Sequence, residues 1–181
     1  MEMFTIMLLF IILFGIIAIF YIAIYNHVQF SKTKIEKVES KIDEDLRLKF
    51  DLILKADGII KNTLKNKKDY FKEFRNLRDE KISNFDLERK LKEAENILDT
   101  LYDDNKELNK NEILIEIIQD LKVADEKIVA GISYYNKHVS DLNAYIRKFP
   151  NNLIAKFHHI KPKPFFDGKD MTDTDIEDFK L

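Results

Sequence analysis

The sequence predicts an all-α protein: an N-terminal transmembrane helix followed by an elongated antiparallel four-helix bundle with two long and two short helices. Three observations predict it. Residues 4–25 form an apolar run with no Lys, Arg, Asp, Glu, Asn, Gln, Pro or His inside it. The charged remainder is rich in Leu, Ile, Lys and Glu, and its first proline is Pro150, a composition that suits helices far better than sheets. Its apolar residues also recur in steps of three and four, the spacing of one helical face.

The apolar run comes first. At about 1.5 Å rise per residue it spans roughly 30 Å, the thickness of a hydrocarbon core. Phe4, Leu9, Leu13, Ile17, Phe20 and Tyr25 mark its length, and Tyr21 and Tyr25 stand at the end where amphipathic rings suit a headgroup layer. A cleavable signal peptide would have a basic start and a small-x-small site; here the start is Met1-Glu2-Met3 and no such site follows. A buried bundle helix would show a polar face, and the run shows none. Lys32, Lys34, Lys37 and Lys41 follow it while nothing basic precedes it, so the soluble part is expected in the cytoplasm. The expected organisation is an anchor at 1–27, a helical bundle at 28–166 and an acidic flexible tail at 167–181.

The first soluble helix is expected to continue straight out of the membrane. Ile35, Val38, Ile42, Leu46, Phe50, Ile53, Ala56, Ile60 and Leu64 form one stripe. A short helix with Tyr70, Phe71, Phe74, Leu77 and Ile82 inward should follow. Ser83, Asn84 and Asp86 signal the next start, because short polar side chains accept the free N–H groups of a first turn. Leu87, Leu91, Ala94, Leu98 and Leu101 then form a third stripe, and residues 103–111 read as a turn.

The fourth helix carries a heptad seam: Leu114, Ile118, Leu121, Asp125, Ile128, Ile132, Tyr135, Val139, Leu142, Ile146 and Phe149. Asp125 breaks it. Local exposure or a register-setting polar contact accounts for that; a buried carboxylate would instead require a Tyr, Lys or Arg on the first helix. In an up-down layout this helix returns along the first, so Phe149 and the segment 150–166 should lie at the membrane face. Pro150 stops the helix, and the chain beyond it is expected to be extended.

The C-terminal stretch YYNKHVSDLNAYIRKFPNNLIAKF, with the trailing KPKPFF, resembles the signature of the LemA family. Tyr135, Asn136, Asn143, Phe149, Pro150, Asn152, Phe157, Pro162, Phe165 and Phe166 match its positions. KIDEDLRLKFDLI is similar to the family's first soluble helix through Ile42, Asp43, Leu46 and Asp51. The chain departs next, where Leu54-Lys55-Ala56 stands for the family's Pro-Asn-Leu. The resemblance implies a single-span protein of a bacterial cell membrane with a largely four-helix soluble part. Relatives in the family are tied to organising membranes and membrane-associated complexes.

Enzyme chemistry finds little support. The chain has no cysteine and only four glycines, so no thiol nucleophile or glycine-rich phosphate loop. No His-Glu-x-x-His or Glu-x-x-His pair occurs. His158 and His159 are adjacent and would point apart on extended backbone, a poor chelate. Asn136 and Asn143, seven apart, share a helical face and are expected to tie the returning segment by bonding its backbone. Basic and acidic residues nearly balance, 30 against 32, which argues against nucleic acid. Lys156, Lys161 and Lys163 interleave with Phe157, Phe165 and Phe166. The aromatics are expected to pack back on the bundle with the lysines solvated; a headgroup contact is the alternative. The function expected is a non-enzymatic scaffold or adaptor for a protein complex at the membrane surface, with no metal or cofactor. The alternative is a membrane-shaping or lipid-contacting role for the Lys/Phe segment. The expected partners are the lipid bilayer and a protein; a homo-oligomer is left open.

Overall fold

The computed structural model describes residues 2–65, 69–77 and 80–168. It is all-helical: α1 (Glu2–Leu64), α2 (Asn84–Asp104), α3 (Glu112–Arg147) and α4 (Asn151–Phe157), with 3-10 turns at Lys72–Phe74 and Leu108–Lys110 and no strand among the described residues. α1 has 63 residues. It holds no proline, and Leu54-Lys55-Ala56 continues the helix, as residues with free N–H groups can. Along it the environment changes once: residues 2–23 are exposed throughout, and burial begins at Ile24. The contacts divide the described chain into two compact units, residues 2–37 with Asn136–Phe165, and Val38–Tyr135 with Phe166–Gly168.

The second of these holds the larger core. Ile42, Leu46, Ile53, Ala56 and Ile60 of α1, Leu91, Ala94, Leu98 and Leu101 of α2, and Leu114, Leu121, Ala124 and Ile128 of α3 are buried. Each large side chain removed from water contributes about 1.5–3 kcal/mol, so these stripes dominate the stability. Ser83 caps α2, its Oγ accepting the Asp86 N–H. Asn111 does the same for α3, its Oδ1 accepting the Leu114 N–H at 3.0 Å. Asp103 and Asp104, expected in the turn, complete α2, and the turn that follows buries Leu108. Gly131 of α3 faces Ile42 so closely that an added Cβ would lie 3.0 Å from its Cγ1.

One expected α-helix does not form among the described residues. The segment expected to run through Tyr70 and Phe74 to Leu77 is a 3-10 turn: Phe74 N–H bonds to Phe71 C=O and Leu77 N–H to Phe74 C=O. Phe71, Phe74 and Leu77 are buried, while Tyr70 and Ile82 are half-buried. Steps of three put Phe71, Phe74 and Leu77 on one face of a 3-10 winding, and over so few residues an α-helix would put them on one face as well.

In the other unit, Ile24, Val28 and Ile35 of α1, Val139, Leu142 and Ile146 of α3, and Ala155 of α4 are buried. His27 packs on Tyr145 with ring centroids 4.3 Å apart. The seam of α3 stops at Ile146, and Phe149, expected to belong to it, is 79% exposed because the helix has ended at Arg147. The extended segment expected after Pro150 is a correction too. Pro150, joined to Phe149 by a cis bond, directly precedes the first residue of α4. A fixed φ suits a helix start as well as it stops the helix before, so one proline separates two helices. α4 ends in a Schellman motif: Ile160 N–H bonds back to Ala155 C=O and His159 N–H to Lys156 C=O, with His159 in the left-handed region at φ 52°.

Candidate interaction surface

The signature residues begin with a clamp. Asn143, 1% exposed, donates from Nδ2 to the Lys163 carbonyl at 2.7 Å and accepts the Lys163 N–H on Oδ1 at 2.8 Å. A side-chain amide presents one donor and one acceptor in the spacing of a peptide group, so Asn143 pairs with the returning chain as a strand neighbour would. Asn136 is half-buried. Asn152 is half-buried, with a buried Oδ1 that meets no protein donor. Pro162 is exposed and Phe165 half-buried. In the other unit Phe166 sits edge-on to Tyr135 and to Phe85, each with centroids 6.2 Å apart. Burial, with Glu39 nearby, pushes the Tyr135 phenol up to about 12.

The end of the apolar run meets the end of α4. His158 packs on Tyr25 with centroids 4.7 Å apart and on Tyr21 at 5.8 Å, its Nε2 within hydrogen-bond reach of the Tyr21 hydroxyl. Phe157 stands edge-on to His158. The aromatic residues of the C-terminal segment therefore behave differently: Phe165 and Phe166 pack back, while Phe157 is 74% exposed. Leu153, one turn before Phe157 on the same face of α4, is exposed as well. Reading the sequence for Lys and Phe passed over Leu153; the four-residue spacing was its signal. Arg147 and Lys148 were passed over as well: with Lys156, Lys161 and Lys163 they give residues 142–166 five basic side chains, with no Asp or Glu. Phe4, Leu9, Leu13, Ile17 and Phe20 are all exposed, and Tyr25 is half-buried. By length and composition this part of α1, with a mean hydropathy of 3.1, could cross a membrane.

Asp125 finds its partner on α1. Lys49 of α1, 1% exposed, donates to Asp125 of α3 and, at 2.8 Å, to Glu95 of α2. Burial alone would lower the Lys49 ammonium; bonds to Asp125 and Glu95 outweigh that and hold it above its ordinary value. Burial raises the Glu95 carboxyl more than Lys49 lowers it. Lys49 and Glu95 escaped the sequence reading, though each interrupts an inward stripe: Lys49 between Leu46 and Ile53, Glu95 between Leu91 and Leu98. A second polar knot joins Asp57 to Lys61 and Arg75, each at 2.8 Å, with Asp69 alongside. Burial is the main cause that raises the Asp57 carboxyl. Among the described residues no group of three His, Cys, Asp or Glu could hold a metal ion.

An all-α chain whose first helix joins a candidate membrane span to a buried stripe, and whose C-terminal segment is clamped by an asparagine, defines a class of helical proteins consistent with membrane anchoring. The family model described as "LemA family" matches residues 38–177, and the chain belongs to the LemA family. No curated protein and no solved structure matches it.

Proposed function

We propose that this protein is a single-span membrane anchor whose helical domain scaffolds a protein complex at the cytoplasmic membrane surface, without catalysis of its own. The observation that carries the reading is α1, which passes from the apolar run into the core stripe with no break at 63 residues. A helix that continues from the apolar run in this way fits a role in holding something beside a bilayer. The ion pairs support the reading as well: Lys49 is engaged by Glu95 and Asp125, and Asp57 by Arg75.

A photo-crosslinking amino acid placed in the full chain at exposed positions of α2 and α3, such as Lys92 and Glu126, tests it in native membranes. A discrete adduct that recurs across replicate membranes is expected. No adduct from any position, together with turnover of a substrate by the purified chain, overturns the reading. The second reading is direct lipid contact by the C-terminal segment. The exposed Phe157, edge-on to the His158 ring that packs on Tyr21 and Tyr25, is what favours it.

A further inference from the structure

We propose that the Leu153/Phe157 face of α4, framed by Arg147, Lys148, Lys156 and Lys161, docks onto anionic lipid headgroups of the same bilayer that the apolar run crosses. The inference rests on the lipid-contact reading above and deepens it by naming the side chains and the lipid chemistry.

Position is the first ground. Residues 2–23 of α1 are exposed, and protein cover begins at Ile24. The hydrocarbon must end where the apolar run ends, at the Tyr21 and Tyr25 rings, which suit a headgroup layer. His158 packs on both rings, and it is the residue after α4. The C-terminal end of α4 therefore stands at the depth of the headgroups, within the same compact unit. Polarity is the second ground. α4 turns Ala155 inward at 5% exposure and leaves Leu153 57% and Phe157 74% exposed. Two large apolar side chains on one exposed face are costly in water and are well solvated at the acyl boundary, where interfacial helices bury such a face.

Charge decides the occupant. The chain as a whole carries −2, yet residues 142–166 hold five basic side chains and no acidic one. Arg147, Lys148, Lys156 and Lys161 are exposed. Two copies of this patch meeting face to face would bring like charges together, as a two-fold interface must. A leaflet rich in anionic lipid supplies the opposite charge over the whole area.

The chain contains no tryptophan, so a single introduced one reports its own surroundings. The full chain is reconstituted in nanodiscs of phosphatidylcholine with phosphatidylglycerol, and the acyl chains are then exchanged for brominated ones, which quench nearby indole. Three variants are compared: Phe157→Trp, Leu153→Trp, and Phe14→Trp inside the apolar run. Circular dichroism confirms the helix content of each. The expected result is blue-shifted emission and strong quenching at 153, 157 and 14. Quenching at 14 but not at 153 or 157 overturns the docking and leaves the anchor standing. No quenching at 14 overturns the anchor, and the docking falls with it. Blue-shifted emission at 157 without quenching means that protein, a second copy or another chain, covers the face, which also overturns the proposal. Adding Lys156→Glu and Lys161→Glu to Phe157→Trp should lower quenching in the mixed nanodiscs and leave it unchanged in pure phosphatidylcholine. Equal quenching in the mixed nanodiscs with and without these changes removes the anionic specificity.

Discussion

Replacing Lys49 with methionine should destabilise the domain by about 3 kcal/mol near neutral pH, the low end of the cost of removing one partner of a buried ion pair, because the carboxylates left behind are half-buried. Lys49 Nζ lies 2.8 Å from Glu95 Oε2 and also reaches Asp125. At an effective dielectric constant of about 20, the Lys49–Glu95 pair alone attracts by roughly 6 kcal/mol. Dehydrating the ammonium offsets several kcal/mol of that, so the intact pair adds little net stability, yet its loss leaves the half-buried Glu95 facing Asp125 with no cation between them. The pH dependence has a definite sign. Burial already raises the Glu95 carboxyl above its ordinary 4.5. A carboxyl raised in the folded state favours folding below its unfolded value, and that contribution is lost as pH rises through the folded value. Removing Lys49 raises Glu95 further and widens that window upward. The defect in Lys49→Met should therefore be largest near about pH 8 and shrink toward about pH 5. Urea unfolding of the full chain in detergent, followed by far-ultraviolet circular dichroism, measures it. The triple variant Lys49→Met, Glu95→Gln, Asp125→Asn should recover most of the loss, because no unpaired charge remains. A defect of equal size at both pH values, or a triple variant no better than the single, would refute the reasoning.

Three further outcomes are expected. Asn143→Leu strips partners from the Lys163 N–H and C=O together, so it should cost about 2 kcal/mol and open residues 158–166 to limited proteolysis; continued protection of that segment would show that the clamp does not hold it. Gly131→Leu drives a side chain into fully buried Ile42, where a Cβ alone would sit at 3.0 Å, and overpacking should cost roughly 1–3 kcal/mol in the same urea assay, well beyond any gain in helix propensity. Ser83→Ala removes the acceptor for the Asp86 N–H and should cost about 1 kcal/mol, with Ser83→Asn nearly neutral.

Periodicity exposed most of the helical architecture. The stripe from Ile35 to Ile60 and the α2 stripe from Leu91 to Leu101 are buried nearly residue for residue, because amphipathic spacing reflects which face leaves water. Failures came where short-range geometry competes with pattern. Phe71, Phe74 and Leu77 carry an apolar pattern that α and 3-10 windings share over so few residues, and the chain took the tighter one. Phe149 continues the heptad count of α3, but a count does not know where the helix ends. Pro150 was legible as a stop; that it also starts α4 was not, since a fixed φ serves both roles. The Lys49 cluster was half legible: Asp125 showed as a fault in its seam, and its partner lies 76 residues away in sequence.

The sequence by itself determined what is local and one-dimensional. It determined the apolar run, the helical class, the helix start at Ser83, and membership of the family through its C-terminal residues. Tertiary structure alone decided which distant groups meet. It closed Lys49 between Glu95 and Asp125, pinned Lys163 to Asn143, and set His158 against Tyr21 and Tyr25. It also separated Phe157, which faces outward, from Phe166, which does not. The physical reason is that helical pattern repeats every few residues and can be read along the chain, whereas a contact between residues far apart depends on where each helix stops and how its neighbours turn.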